Sequence, residues 1–132
     1  MKKARDIASK AIIIYHNKYL LQLRDNYASI SFPNSWGFFG GNLENGESPE
    51  QALIRELEEE LGFTPKNYLI IFEYLFSEPD VLVKYFEIPI FNIDQFRILN
   101  EGQRMQWFTI EQLKFLNRAG DLEFAFCNKF FR

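Results

Sequence analysis

Three glutamates, Glu56, Glu59 and Glu60, recur at intervals of three and four residues. An α-helix turns by about 100° per residue, so these carboxylates would project from one narrow stripe. Leu53, Ile54, Leu57 and Leu61 fall on a neighbouring stripe, where a core-facing surface would lie. Like charges at this spacing repel by a few tenths of a kcal/mol even on an exposed helix, and crowding makes it harder to ionise all of them. The arrangement has a chemical use if a divalent cation rests against the stripe. Hard ions such as Mg²⁺ take oxygen ligands, keep several waters and bridge to substrate phosphates. A solvated acidic helix face is the other reading of the same residues.

The segment around the glutamates is built to hold a helix in place. Ser48 suits an N-cap, Pro49 the first helical position, and Gln51 completes a capping-box spacing. Gly62 stands where a left-handed C-terminal glycine belongs, and Pro65 prevents the helix from resuming. The helix is therefore expected over about 49–61. Gly40-Gly41 reads as a glycine loop leading into it, and a glycine at position 40 permits close approach of main chain to a ligand. Glu47, just before the cap, is expected to face Arg55, holding the loop and orienting the neighbouring carboxylates.

The stretch from Gly41 to Phe63 resembles the signature of the Nudix hydrolases. That pattern requires Gly, five residues, Glu, seven residues, Arg-Glu, an apolar residue, any residue, Glu-Glu, any residue, Gly and an apolar residue. Gly41, Glu47, Arg55, Glu56, Leu57, Glu59, Glu60, Gly62 and Phe63 fill every specified position. The resemblance implies an α/β fold, an α/β/α sandwich with a mixed sheet and the signature as a loop-helix-loop beside it. It implies hydrolysis of a nucleoside diphosphate linked to another group, with Mg²⁺ or Mn²⁺ as cofactor. It assigns Glu56, Glu59 and Glu60 as metal ligands, with the main chain of Gly40 as a further one. Gly41, Glu47, Arg55 and Gly62 fall to structural support.

A further carboxylate often comes from a distant loop in this family. Asn100-Glu101-Gly102-Gln103, followed by Trp107, is similar to that loop in MutT-type members, so Glu101 is a candidate metal ligand or general base; an ordinary turn glutamate is the other reading. Glu56 and Glu101 are the contenders for general base, and Glu59 is counted with them among the catalytic residues. For the nucleotide, Arg24 could meet a phosphate, and Tyr27, Phe32 or Trp36 could stack on a base; each could equally be a surface or core residue. Many family members carry Pro before the glycine pair, where this chain has Phe39, which weakens any transfer of substrate identity from MutT-type enzymes.

The rest of the chain frames these residues. Ala11–Tyr15 and Tyr19–Arg24 read as a hairpin about His16-Asn17-Lys18, followed by a loop from Asp25 to Ser35 and a short strand Trp36–Phe39. Residues 1–10 are expected to lead into the first strand. Tyr68–Phe76 and Val81–Ile90 read as a second hairpin, Gln103–Phe108 as a strand, and Thr109 as the cap of a helix to about Asn117. Asp121 is expected to open a last helix whose Phe124, Phe126, Phe130 and Phe131 belong to the core, or to a dimer surface if exposed.

At 132 residues the chain is expected to form one domain. A net charge of −3 argues against binding nucleic-acid polymers, which calls for basic surface. The single cysteine, Cys127, fits a reducing compartment and reads as a small core residue. No apolar run reaches membrane-spanning length, and Ala11–Ile14 is too short for a secretory signal, so a cytoplasmic location is expected. The expected partner is a small-molecule nucleotide, bound by a monomer or homodimer. Two functions remain from different classes: a metal-dependent pyrophosphohydrolase acting on a nucleoside triphosphate or nucleotide sugar, and a nucleotide-binding or regulatory module without catalysis.

Overall fold

A computed structural model describes residues 5–78, 80–92 and 104–131. Among the described residues seven strands form one mixed sheet: β1 (Asp6–Tyr15), β2 (Lys18–Leu23), β3 (Trp36–Gly37), β4 (Phe39–Asn42), β5 (Leu69–Ser77), β6 (Asp80–Pro89) and β7 (Arg104–Phe108). The helices are α1 (Pro49–Leu61), α2 (Ile110–Leu113) and α3 (Gly120–Cys127).

β1 organises the sheet. On one side it pairs in parallel with β6 from Asp6 to Ile14; on the other it pairs antiparallel, first with β4 and then with β2. β2 continues the sheet to β3 and β7, while β6 carries β5 at the opposite end. The turn between β1 and β2 places His16 and Asn17 at φ 46° and 62°, as a two-residue hairpin of primed type requires.

Successive strand residues face opposite sides of the sheet, and two cores result. Ala11, Ile13, Leu20, Phe39, Phe86 and Ile88 meet Leu53, Leu57 and Leu61 of α1. Ala8, Ile12, Tyr19, Leu21, Val83 and Tyr85 meet Leu122 and Ala125 of α3. The expected α/β/α sandwich is present.

Several boundaries differ from expectation. β1 starts at Asp6, because its polar residues are served from both faces: Ser9 Oγ donates to Pro49 O at 2.7 Å, and Lys10 pairs with Asp121 on the α3 side. Gly40-Gly41 lies within strand β4 and is not a loop, and the single strand expected over Trp36–Phe39 is interrupted at Phe38, where the chain moves from β2 to β1. Trp36 is only 6% exposed, packed edge-on against Phe108, so it is a core residue and not an open stacking platform for a base. α2 stops at Leu113 and not near Asn117, although Thr109 caps it as expected and Gln112 completes a capping box. α3 begins at Gly120 without a side-chain cap and ends before Phe130 and Phe131, whose rings fold back against Tyr85 and Phe38. Cys127 is exposed and not a core residue, its thiol donating to Glu123.

Candidate active site

α1 forms as its sequence dictates. Ser48 Oγ accepts from Gln51 N–H at 3.1 Å while Gln51 Oε1 accepts from Ser48 N–H at 2.8 Å, so two orphan donors are satisfied. At the other end Gly62 adopts φ 63°, and its N–H bonds to Glu58 O. Both ends being pinned, the rotation of the helix is set: Ala52, Leu53, Leu57 and Leu61 face the sheet, and the carboxylate stripe lies along β4.

Arg55 gathers the acidic groups. Its Nε and Nη2 donate to the two oxygens of Glu47 at 2.7 and 2.9 Å, a fork that matches guanidinium to carboxylate. Nη1 donates to Glu56 at 3.0 Å and reaches Glu59 at 3.5 Å, while Nη2 also bonds to the carbonyl of Asn42 at 3.1 Å. Hydrogen bonds from Arg55, and then from the Glu44 N–H, hold Glu47 down to a pKa of about 2. The Glu47 bond, followed by Glu56, pushes the guanidinium pKa upward against its partial burial. The like-charge repulsion anticipated along the stripe is thus relieved by a cation supplied from within it.

The other two carboxylates take different positions. Glu60 is 1% exposed and accepts from Gly40 N–H at 3.3 Å, whereas Glu59 stands at the rim, 57% exposed. Gly40 has φ 130°, and a Cβ there would lie 2.0 Å from Ser9 O, so only glycine lets β4 run this close to β1. A Cβ on Gly41 would meet Glu56 Oε1 at 2.5 Å, so the Glu56 carboxylate occupies the space a side chain would fill. Among the described residues no three acidic, histidine or cysteine side chains already surround one point. Glu56 and Glu59 share Arg55, and Glu60 is drawn to Gly40. The donor set nevertheless suits a hard divalent ion: oxygen ligands throughout, gathered on one side of α1 against strand main chain, with the long Glu59–Arg55 contact easily exchanged.

On the α3 side of the sheet lies a cavity of about 330 Å³ lined by Lys10, Arg24, Phe32, Asn42 and Asp121 among others. Asp121 is fixed from several directions. Its oxygens accept from Leu122 N–H at 2.8 Å and Phe38 N–H at 3.3 Å, and Lys10 Nζ lies 3.6 Å away. Asn42 belongs both to this cavity and to the Arg55 network, so the two meet at that residue. Of the residues named for the nucleotide, Arg24 and Phe32 line it, with Arg24 Nε donating to Ser31 O; Tyr27 is 63% exposed and outside it. Glu101 lies outside the described residues. Lys10, Asn42 and Asp121 escaped sequence reasoning, since nothing short of the β1–β4 register and the placement of α3 brings them together.

Comparison with known proteins bears on the family and the fold. The NUDIX domain profile matches residues 6–125. An 8-oxo-dGTP diphosphatase of Escherichia coli K12 is 32% identical over 85 residues, covering 63% of this chain and 64% of that protein. An RNA pyrophosphohydrolase of Vibrio cholerae is 35% identical over 81 residues, covering 58% of this chain and 42% of that protein. The match therefore spans less than two thirds of these curated relatives. A solved structure from work on MutT of Aliivibrio salmonicida and Vibrio cholerae superposes with a TM-score of 0.78 at 25% identity, covering 95% of this chain and 96% of that one.

Proposed function

The chain belongs to the NUDIX domain family, and from that membership we infer a divalent-metal-dependent pyrophosphohydrolase. Its substrate is a nucleoside diphosphate linked to another group, a nucleoside triphosphate or a nucleotide sugar, and its reaction is cleavage of the phosphoanhydride. The observation that carries this reading is the Arg55 fork, which locks Glu47 and holds Glu56 against Gly41 in a space no other residue would leave open.

Glu56, Glu59, Glu60 and the main chain of Gly40 are the residues that would hold Mg²⁺ or Mn²⁺. A bound ion of this kind offsets phosphate charge and lowers the pKa of a coordinated water. The chain's own contribution is position. Arg55 and Glu47 fix the rotamer of Glu56, and buried Glu60 ties α1 to β4 through Gly40. Glu56 and Glu101 are the candidates to accept the proton of the attacking water. The nucleoside portion is assigned to the cavity, where Lys10 supplies a donor, Asp121 acceptors and Phe32 an aromatic wall. Asn42 joins that cavity to the carboxylates, so one substrate can span both.

A panel of nucleoside triphosphates, nucleotide sugars and dinucleotide polyphosphates, incubated with Mg²⁺ and followed by product analysis, tests this function. At least one member is expected to be cleaved at a phosphoanhydride, with Glu59→Gln removing most turnover. Tight binding without cleavage across the panel would instead make the chain a nucleotide-binding module.

A further inference from the structure

β5 bonds to β6 along one side, and among the described residues nothing pairs with its other side. Leu69, Ile70, Phe72, Tyr74 and Leu75, five of its nine residues, are large apolar side chains left 40–65% exposed. Edge strands of soluble proteins are commonly guarded by lysines, prolines or bulges that turn the edge away. From Phe72 to Ser77 this edge runs in regular register with β6, and the bulge lies before Phe72. Its one charge, Glu73, is already matched by Lys84 on β6 at 2.9 Å.

Two of these rings are packed from the α3 side. Tyr74 stacks on Phe124 with ring centroids 4.0 Å apart, and Phe72 lies 4.6 Å from Phe130. Of the connection after β6 the two described ends are held elsewhere: Ile90 N–H bonds to Ile14 O on β1, and Arg104 pairs beside Leu23 on β2. Both described ends of that connection lie on the far side of β6 from β5.

We propose that the outer edge of β5 pairs antiparallel with β5 of a second copy of this chain, about a twofold axis at Tyr74. This register sets Phe72 opposite Phe76 of the second copy on the α3 side, an aromatic cross-strand pair of the kind that stabilises sheets. Glu73 falls opposite Leu75, so the two Glu73 carboxylates do not meet. Centring on Glu73 would oppose them directly, and centring on Phe72 would bring the irregularity between Ile70 and Phe72 into the middle of the ladder. The five side chains present on the order of 400 Å² of apolar surface, about half of the ~800 Å² per partner of a standard interface. A contact of that size falls in the range of weak, transient association, which suits a reversible dimer. With its single charge paired internally, the edge carries no pattern that would select a differently charged partner. An isologous contact needs only self-complementarity, which this strand has.

Sedimentation velocity from about 1 to about 200 µM is expected to show a concentration-dependent monomer–dimer equilibrium. Hydrogen exchange of the outward β5 amides should slow at the high end of that range. Leu75→Glu, which opposes Glu73 of the second copy twice per dimer, should weaken association by at least about tenfold. Leu75→Lys, which meets the same carboxylate with opposite charge, should be milder, with circular dichroism confirming that both variants are folded. A monomer throughout the range overturns the proposal, as does β5 protection that is independent of concentration. Equal effects of Leu75→Glu and Leu75→Lys on a dimer overturn the register.

Discussion

Gly41→Ala separates the chemistry of this site from its stability more cleanly than removal of a carboxylate would. Unlike Gly40, Gly41 is not held at a positive φ, so its backbone accepts alanine without strain. The new methyl would lie 2.5 Å from Glu56 Oε1 and 2.7 Å from its carboxyl carbon, where ordinary contact begins at 3.4 Å. The obstacle is the end of a side chain, so relief comes from swinging the Glu56 carboxylate aside by about 1 Å. That swing lengthens or breaks its 3.0 Å bond from Arg55 Nη1. A charge-assisted bond contributes about 1.5–3 kcal/mol at most, and this one is partly open to water, so a stability loss near 1 kcal/mol is expected. For a domain of this size that is a drop in Tm of roughly 3–5 °C. Misplacing a reacting group by 1 Å, by contrast, costs on the order of 10²-fold in rate. Turnover of the best panel substrate should therefore fall about a hundredfold while Tm falls by only those few degrees. Gly40→Ala provides the contrast: its methyl would meet the Ser9 carbonyl at 2.0 Å with φ at 130°, so backbone must shift and the variant should lose its fold. If Gly41→Ala keeps turnover within about threefold of wild type, the tight placement of Glu56 is not what the chemistry depends on.

Three further outcomes can be stated together. The pKa of Glu47 is depressed in the folded chain from an ordinary value near 4.5 to about 2, so its contribution to stability is complete above the unfolded value and is lost as pH falls through that window. Melts between pH 6 and 2.5 should show wild type losing an acid-sensitive component that Glu47→Gln lacks; parallel curves would contradict the Arg55 fork. Asp121→Ala leaves Lys10 without its counter-ion and the Phe38 and Leu122 N–H groups without their acceptor, a loss of about 2–4 kcal/mol measurable by urea unfolding. Millimolar Mg²⁺ should raise the Tm of wild type by mass action but not that of Glu56→Gln/Glu59→Gln, and an equal effect on both would place the ion elsewhere.

What could be read from the sequence was whatever is decided within one turn or one helix. The caps of α1, its two ends and its acidic stripe depend on residues close in the chain, and all are present as expected. The β1–β2 and β5–β6 hairpins follow from apolar runs around turn residues. What could not be read depends on partners far apart in sequence. Asp6–Lys10 looks unlike a strand because its polar residues are satisfied by α1 and α3, which local pattern does not announce. Trp36 looked available for stacking because only the tertiary fold places Phe108 against it. Lys10 and Asp121 are individually unremarkable in the sequence, and only the packing of α3 on β1 makes them a pair.

Arg55 resolves a conflict that the glutamates create for folding. A site that would seat a divalent cation needs several carboxylates close together, and in the ion-free fold those groups repel. One arginine inside the stripe answers both needs, provided it cannot leave and does not hold every carboxylate equally. The structure meets both conditions. Two short bonds to Glu47 and one to the Asn42 carbonyl anchor the guanidinium, leaving Nη1 to reach Glu56 at 3.0 Å and Glu59 only at 3.5 Å. The strong contacts are with a group outside the proposed metal set and the weakest is with Glu59, the most exposed glutamate of that set, so an arriving cation would displace little. Lysine at position 55 would keep the charge but lose the fork, since an ammonium cannot span both oxygens of Glu47 while reaching Glu56 in a fixed direction. The arginine is therefore better understood as the part that sets where Glu56 points than as a neutraliser of charge.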